Sequence, residues 1–230
     1  GGYTIGKSIP DIFTGLTNLE SFEGSLAAFG NDDFLASWTN LKKLKLDMFR
    51  GTRLDFLKCM PKIRSLELSN AMRCDSLADL QHTPDLRHFS LGNWADPEPL
   101  FKMERLRTLS LSFSNFPLKN LRRLKALRSL SIEGQSQRDL KQLPDLPSLT
   151  EFSIHDFTGK DLSGLEGLTR LRSLSIATCK LNAFPDLQRL TCLEKVELED
   201  ITLKDTSALA SLKNLQELTL QYPHFTSFDW

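Results

Sequence analysis

The fold is decided by repeats such as those in residues 171–198, LRSLSIATCKLNAFPDLQRLTCLEKVEL. The pattern L-x-x-L-x-L, in which Ile, Val or Phe can replace Leu, occurs here twice, with starts 22 residues apart. It recurs along the chain, and its first positions are Leu19 (a degenerate copy), Leu41, Ile63, Leu86, Leu106, Leu127, Leu149, Leu171, Leu193 and Leu215. Ten copies at this spacing predict a chain built from stacked structural repeats.

A second pattern lies between the copies, where apolar residues recur every three positions. Examples are Leu162, Leu165, Leu168 and Leu171. An α-helix would alternate spacings of three and four to keep one face apolar, whereas a strict spacing of three is typical of a 3₁₀ turn. Each repeat is therefore predicted to be a short strand, a bend and a 3₁₀-like return. The capping residues expected where these turns begin are Asp139, Asp161 and Asp205.

One such unit cannot cover its own row of leucines, so neighbouring units must stack to form a continuous core. These residues resemble a leucine-rich repeat protein of the 22-residue, internalin-like class, and the resemblance covers about residues 13 to 222. It implies an α/β solenoid of about ten repeats, curved, with short parallel strands on the concave face and 3₁₀-like turns on the convex face. That class places an asparagine at the ninth position, whereas the residues here are Phe49, Ala71, Trp94, Ser114, Gln135, Phe157, Cys179 and Ile201.

The repeats leave little of the chain for other domains. We expect a single leucine-rich repeat domain over residues 1–230, with a partial N-terminal cap at 1–18 and repeats at 19–222. The C-terminal segment, 223–230, contains Phe225, Phe228 and Trp230 and is predicted to be an aromatic cap. Terminal repeats need such shielding because their core would otherwise face water.

Composition narrows the function classes. Twenty-nine basic residues balance 29 acidic residues, which removes the usual basis for binding nucleic acid or an anionic membrane. We find no apolar run of 18 residues, signal peptide or N-glycosylation motif, so we expect a cytoplasmic protein that binds no nucleic acid and does not span a membrane. The four cysteines form no C-x-x-C pair, and we expect reduced thiols, with Cys59 and Cys74 the one pair to check.

The residues between the motif leucines should face away from the core, because side chains alternate along a strand. The central column of these residues is Glu23, Lys45, Glu67, Ser90, Ser110, Ser131, Ser153, Ser175, Glu197 and Thr219. Its five serines have two interpretations: small filler on a crowded sheet, or the floor of a groove that a partner's backbone can approach. Lys45 is predicted to pair with Glu23 and Glu67 across the strands.

Partner contacts are predicted from both charge and exposed apolar area. The last strands carry an acidic group that suits a basic segment, and aromatic or Met residues at strand exits are typical binding anchors. Trp94 is a further candidate anchor, although its position favours the core. The predicted partner-binding residues are Met48, Phe113, Tyr222, His88, Glu133, Glu151, His155, Lys195, Glu197, Glu199 and Glu217.

Catalysis is not expected from this sequence. His155 should lie within ion-pair reach of Glu133, and Ser131 and Ser153 share the sheet, but no G-x-S-x-G elbow is present and an open face stays solvated. His88 and His155 are three repeats apart, about 14 Å at roughly 4.8 Å per strand, so they cannot share a metal ion. We expect no cofactor and no metal site.

The sequence therefore predicts a monomeric protein–protein interaction module whose partner is a protein or peptide. One alternative is the sensor or substrate-recognition domain of a larger signalling protein or enzyme, resembling an NLR-like receptor or a ubiquitin ligase. A further alternative, ranked lower, is a glycan or small-molecule receptor. That function would require stacked aromatic residues on the concave face.

Overall fold

A computed structural model describes residues 13–25, 33–49, 51–69, 74–92, 96–112, 116–134, 140–205 and 207–225. The chain forms two compact units, Gly1–Leu106 (unit 1) and Arg107–Trp230 (unit 2). Several residues named in the sequence analysis lie outside the described ranges, namely Phe113, Trp94, Asp139, Ala71, Ser114, Gln135, Phe228 and Trp230.

Unit 1 contains four parallel strands that pair in chain order. They are β1 (Ser21–Ser25), β2 (Lys43–Asp47), β3 (Ser65–Ser69) and β4 (His88–Leu91). Short 3₁₀ helices alternate with them: η1 (Asp33–Ser37), η2 (Asp55–Cys59), η3 (Ala78–His82) and η4 (Glu98–Lys102). The motif leucines of β2 and β3 are buried, so the strands and the 3₁₀ helices share one core.

Unit 2 repeats this architecture with longer strands near its end. Its strands are β5 (Thr108–Ser112), β6 (Ser129–Glu133), β7 (Glu151–His155), β8 (Ser173–Ala183), β9 (Lys195–Asp205), β10 (Glu217–Gln221) and β11 (His224–Phe225). Strands β5 to β10 pair in parallel in chain order, and β11 pairs with β9. Its 3₁₀ helices are η5 (Leu118–Arg123), η6 (Leu165–Gly167) and η7 (Ser207–Ser211).

The return segments confirm the 3₁₀ prediction. In η2 and its flanks, the Leu57 N–H donates to the Leu54 carbonyl at 2.9 Å, and the Met60 N–H donates to the Leu57 carbonyl at 3.0 Å. The same i to i+3 bonds join Leu162, Leu165 and Leu168 in unit 2, at 3.2 and 2.9 Å. Because each apolar residue is bonded to the one three positions earlier, all of them face the core along one edge.

Two of the three predicted capping aspartates cap their turns. Asp161 Oδ1 accepts hydrogen bonds from the Ser163 Oγ and backbone N–H at 2.6 and 2.8 Å, and Asp205 Oδ1 accepts one from the Ser207 N–H at 2.8 Å. The hydrogen bonds hold the pKa of both carboxyl groups below its usual value. The third predicted cap, Asp139, lies outside the described residues.

The N-terminal end of unit 1 carries an aromatic cluster formed by Phe13, Phe22, Phe34 and Trp38. The ring of Trp38 lies 4.7 Å from that of Phe22 and 5.3 Å from that of Phe34, centroid to centroid. Its indole N–H donates to the Phe13 carbonyl at 3.0 Å, which satisfies the one polar group of a fully buried side chain. The cluster therefore covers the core side of β1.

Strands β8 and β9 correct the expected strand length. The repeat motif predicts short strands, but these two continue for 11 residues each. Their second halves pair in register, with Cys179 opposite Ile201 and Leu181 opposite Leu203. These apolar side chains are buried, so the additional pairing encloses more core than the motif alone indicates.

Candidate functional site

The strand face, defined as the residues between the buried motif residues of each strand, has the columns that the sequence predicts. In unit 2 the pairing register places Ser110 beside Ser131, Ser131 beside Ser153, and Ser153 beside Ser175. All four serines are half-buried. Short hydroxyl side chains therefore line the centre of this face and place no bulky group above the sheet.

The strand face of β9 and β10 is acidic. Lys195 Nζ lies 2.9 Å from Glu197 Oε1 and 3.4 Å from Glu217 Oε2, so one ammonium group serves two carboxylates. The hydrogen bond from Lys195 to Glu197, with a smaller contribution from Glu217, raises the pKa of the lysine. Glu199 is exposed, and among the described residues it makes no ion pair. The three carboxylates thus exceed the local positive charge.

The strand face of unit 1 is charged but better balanced. Lys45 Nζ lies 3.3 Å from Glu23 Oε1 and 3.4 Å from Glu67 Oε1, which confirms the predicted cross-strand pairs. The three side chains remain 37% to 62% exposed, so such pairs contribute little stability. Their consequence is partial neutralisation: one ammonium group faces two carboxylates here, whereas one faces three on β9 and β10.

The residue that follows the strand face adopts a left-handed conformation in several repeats. Its N–H donates to a backbone carbonyl of the next strand, as from Met48 to Ser69 at 3.0 Å and from Asp156 to Ala177 at 3.1 Å. A left-handed backbone costs residues other than glycine about 1–2 kcal/mol, although Asp and Asn tolerate it best. The non-glycine residues with this geometry, at φ between 46° and 54°, are Met48, Asp156, Thr178, Asp200 and Tyr222.

Met48 and Tyr222 combine two unfavourable features at these strand exits. Met48 is 47% exposed and Tyr222 is 76% exposed, so neither side chain gains much from burial. Both also occupy the left-handed region, where a large side chain is unfavourable. An exposed, strained and largely apolar residue is costly for folding, which favours a role outside folding.

The proposed His–carboxylate pair does not form. Glu133 and His155 are register partners on β6 and β7, as the sequence predicts. However, the Glu133 carboxylate accepts a hydrogen bond from Ser112 Oγ at 2.9 Å, and no ion pair joins it to His155 in the described structure. Glu133 is therefore oriented along the sheet as a hydrogen-bond acceptor. The remaining strand-face predictions, His88 and Glu151, are both exposed.

The four cysteines are free thiols. Burial raises the pKa of the Cys179 thiol to about 11, and burial also raises the pKa of Cys74. Both side chains pack in the core as small apolar groups, whereas Cys192 is exposed. No group of three or more metal-ligating side chains occurs in the described ranges.

Open grooves lie on the return side of the repeats, and two of them have volumes of about 600 Å³ or more. One of about 640 Å³ lies between η3 and η4 in unit 1, beside the ion pair of Arg105 with Asp85. The other, of about 600 Å³, lies in unit 2 and is lined by residues that include Leu190 and Leu212. Neither contains a predicted partner-binding residue.

No helix within the described residues is both long and apolar enough to cross a bilayer.

Comparisons with known proteins identify the fold. No protein-family model and no curated protein matches the sequence. Internalin C2 of Listeria monocytogenes is similar in structure with a TM-score of 0.64 and 22% identity, over 85% of this chain and 89% of that one. Internalin F of the same organism gives a TM-score of 0.62 and 19% identity, over 95% and 71% of the two chains.

A plant receptor shows the same likeness. The Arabidopsis receptor kinase HAESA, solved in complex with the peptide hormone IDA and the co-receptor SERK1, gives a TM-score of 0.66 and 17% identity. The match covers 91% of this chain and 39% of that one. At these identities the comparisons show a shared fold.

Proposed function

Because the chain has the leucine-rich repeat fold, we propose that it is a recognition module that binds a partner protein or peptide through the strand face. The observation that carries this proposal is the half-buried serine strip of unit 2, followed by the excess of carboxylates over ammonium groups on β9 and β10. HAESA, which shares the fold, was solved with a peptide hormone, and this complex adds support to a peptide-binding role.

The proposed partner segment is extended and basic. Serines allow a close approach of its backbone, because they present no bulky side chain above the sheet. Glu197, Glu199 and Glu217 would attract its Lys or Arg side chains, which increases the association rate and fixes the register. Since the strands are already paired, little ordering of the receptor is needed on binding.

Affinity would come mainly from the anchors at the strand exits. Tyr222 offers a large exposed ring beside the acidic residues, where it can stack on an arginine or contact a lysine. Met48 offers a flexible apolar contact on unit 1. The proposed binding set also retains Phe113, His88, Glu133, Glu151, His155 and Lys195.

The first test uses a short fluorescein-labelled peptide that alternates Ser with Lys, and a second peptide that alternates Ser with Glu. Fluorescence anisotropy with the full chain should show binding of the basic peptide and not of the acidic one. Replacing Glu197, Glu199 and Glu217 with Lys should weaken binding at least about tenfold, equivalent to about 1.4 kcal/mol.

A charge-matched control separates this site from general attraction. The triple variant Asp75→Lys, Glu104→Lys and Asp145→Lys changes the net charge equally at exposed positions away from the strand face. Its affinity for the basic peptide should stay within about threefold of that of the original chain. This small decrease reflects the loss of long-range attraction, which salt screens. Equal weakening by both triple variants, or no binding of the basic peptide, would contradict the proposal.

A further inference from the structure

Basic and acidic side chains pair between neighbouring repeats at the second position of the L-x-x-L-x-L motif. We call these residues the flanking column, because each lies just before a strand begins. In unit 1, Lys42 Nζ lies 2.6 Å from Glu20 Oε1, and in unit 2, Arg172 Nη1 lies 2.6 Å from Glu194 Oε1. A backbone hydrogen bond of 2.8 Å joins the first pair, and one of 2.9 Å joins the second. Side chains in the flanking column therefore reach from one repeat to the next.

Arg107 and Arg128 occupy the flanking column on neighbouring repeats of unit 2, where both charges are positive. The same backbone bond joins them, from the Arg128 N–H to the Arg107 carbonyl at 2.7 Å. The next residue of the column is the neutral Thr150. Both arginines are exposed, and neither makes an ion pair with any residue that the structure describes. Like charges on adjacent repeats destabilise the folded chain, which favours a role outside folding.

The sequence around these arginines leaves their charge uncompensated. Residues 107–132 contain six basic residues and no acidic one. All six are exposed, namely Arg107, Lys119, Arg122, Arg123, Lys125 and Arg128. In unit 1, residues 62–87 also carry two successive arginines of the flanking column, Arg64 and Arg87, but four acidic residues balance four basic ones there. The positive potential is therefore expected to be strongest around residues 107–132.

We propose that Arg107 and Arg128 together bind a phosphate monoester on a segment of a partner protein. The phosphate would take the place that the Glu194 carboxylate has beside Arg172, between two neighbouring repeats. Lys125 lies three residues before Arg128, on the turn that leads into the strand, and adds a further cation to the same site. The rest of the partner segment would extend over the exposed surface of residues 107–132.

The charge and the geometry of the two arginines favour a phosphate over a carboxylate. A phosphate monoester carries a charge of about −1.5 to −2 at neutral pH and three acceptor oxygens, so it can neutralise two guanidinium groups at once. A single carboxylate would leave one of them uncompensated. Guanidinium groups also donate paired hydrogen bonds that match the spacing of phosphate oxygens, which an ammonium group does not.

The overall charge favours a protein-borne phosphate over a polynucleotide. Binding of nucleic acid without sequence preference depends on many phosphate contacts and an excess of Lys and Arg, whereas this chain has no net charge. One phosphate needs only the local group of cations. This inference goes beyond the proposed function, since it uses the flanking column and an anionic ligand, whereas the strand face of β9 and β10 is acidic.

A labelled phosphopeptide tests the site with the full chain. The probe is a fluorescein-labelled peptide of alternating Gly and Ser with one central phosphoserine, and its binding is followed by fluorescence anisotropy at low salt. The phosphopeptide should bind saturably. The same peptide without the phosphate, or with Glu in place of the phosphoserine, should bind at least about tenfold more weakly, equivalent to about 1.4 kcal/mol.

Two double variants provide the matched comparison. Arg107→Gln with Arg128→Gln should weaken binding of the phosphopeptide at least about tenfold, because both guanidinium groups are lost. Arg64→Gln with Arg87→Gln makes the same change at the same motif position in unit 1, and it should leave the affinity within about threefold. Circular dichroism should show that both variants are folded. Equal weakening by the two variants would overturn the proposal, and so would equal binding of the Glu peptide.

Competition separates this site from a polynucleotide site and from the strand face. An unlabelled phosphopeptide should displace the probe more effectively than an oligothymidylate of equal concentration, and the reverse order would overturn the proposal. The variant with Lys at positions 197, 199 and 217 should still bind the phosphopeptide. Conversely, the variant with Gln at positions 107 and 128 should still bind the Ser–Lys peptide, so that failure of either site is distinguishable from failure of the other.

Discussion

Strand β1 of unit 1 and strand β10 of unit 2 carry the same motif but differ in what covers them. The core side of β1 contacts a cluster of aromatic rings, with Trp38 fully buried at its centre. The core side of β10 leaves Leu218 and Leu220 nearly half exposed. The difference teaches that a repeat motif specifies only an apolar face, and that the burial of this face depends on what packs against it.

The largest expected effect is at the covered end. Trp38→Ala should lower the free energy of unfolding of the chain by about 3–5 kcal/mol, because it removes a fully buried ring from contact with three aromatic neighbours. Urea denaturation followed by circular dichroism measures this loss. Trp38→Phe is the control. It loses the hydrogen bond to the Phe13 carbonyl, but it should cost less stability than Trp38→Ala because an aromatic ring is retained. A loss below about 1 kcal/mol for Trp38→Ala would remove the contrast between the ends.

A matched pair of leucines tests the uncovered end. Leu198 and Leu220 are register partners, with exposures of 0% and 41%. Leu198→Ala should lower the free energy of unfolding by about 2–5 kcal/mol, and Leu220→Ala by about 1 kcal/mol. Both are measured by urea denaturation of the full chain. Equal losses would mean that Leu220 is buried in solution.

The smallest expected effect concerns backbone strain at the exit of β10. Tyr222→Gly should raise the free energy of unfolding by about 0.5–1 kcal/mol, because glycine adopts the left-handed conformation that costs tyrosine energy. The neighbouring strand residue provides the control: Gln221→Gly should lower it by about 0.5–1 kcal/mol. Thermal denaturation distinguishes the two, and a Tyr222→Gly variant that is destabilised would show that the tyrosine ring packs in the native state.

Much of the fold was predictable because the repeat is local and regular. The spacing of Leu162, Leu165 and Leu168 predicts the 3₁₀ hydrogen bonds that the structure contains. The alternation of each motif predicts which residues share a column, and the pairing of Lys45 with Glu23 and Glu67 follows from that column. Both patterns depend on a few neighbouring residues, so a short segment of sequence is sufficient to predict the 3₁₀ turns and the columns of the strand face.

Other features depend on distant residues and were missed. Strands β8 and β9 continue past the motif because Cys179 and Leu181 meet Ile201 and Leu203 in the next repeat. Glu133 bonds to Ser112 on the preceding strand and not to His155 on the following one. Which of two neighbouring strands a carboxylate contacts depends on its side-chain rotamer and on the distances to both. The repeat period does not predict either of these.

The candidate site was predictable in position and not in conformation. Exposed exits at Met48 and Tyr222 follow from their place after the strand, and both residues are exposed. Their left-handed backbone could not be predicted from the residue type, because Gly, Asn and Asp, and not Met or Tyr, are the residues expected in that region. A glycine or aspartate at the same repeat position, as at Gly134 and Asp156, is the one sequence feature that indicates the geometry.

The sequence by itself determined the repeating unit, the orientation of each side chain on its strand, and the balance of charge along the strand face. These follow from spacings of two, three and 22 residues, which any copy of the motif displays. Only the tertiary structure decided which motif leucines are exposed, which carboxylates exceed the local positive charge, and where the backbone is strained. Those properties arise from side chains far apart in the chain, whose contacts depend on packing geometry and not on period.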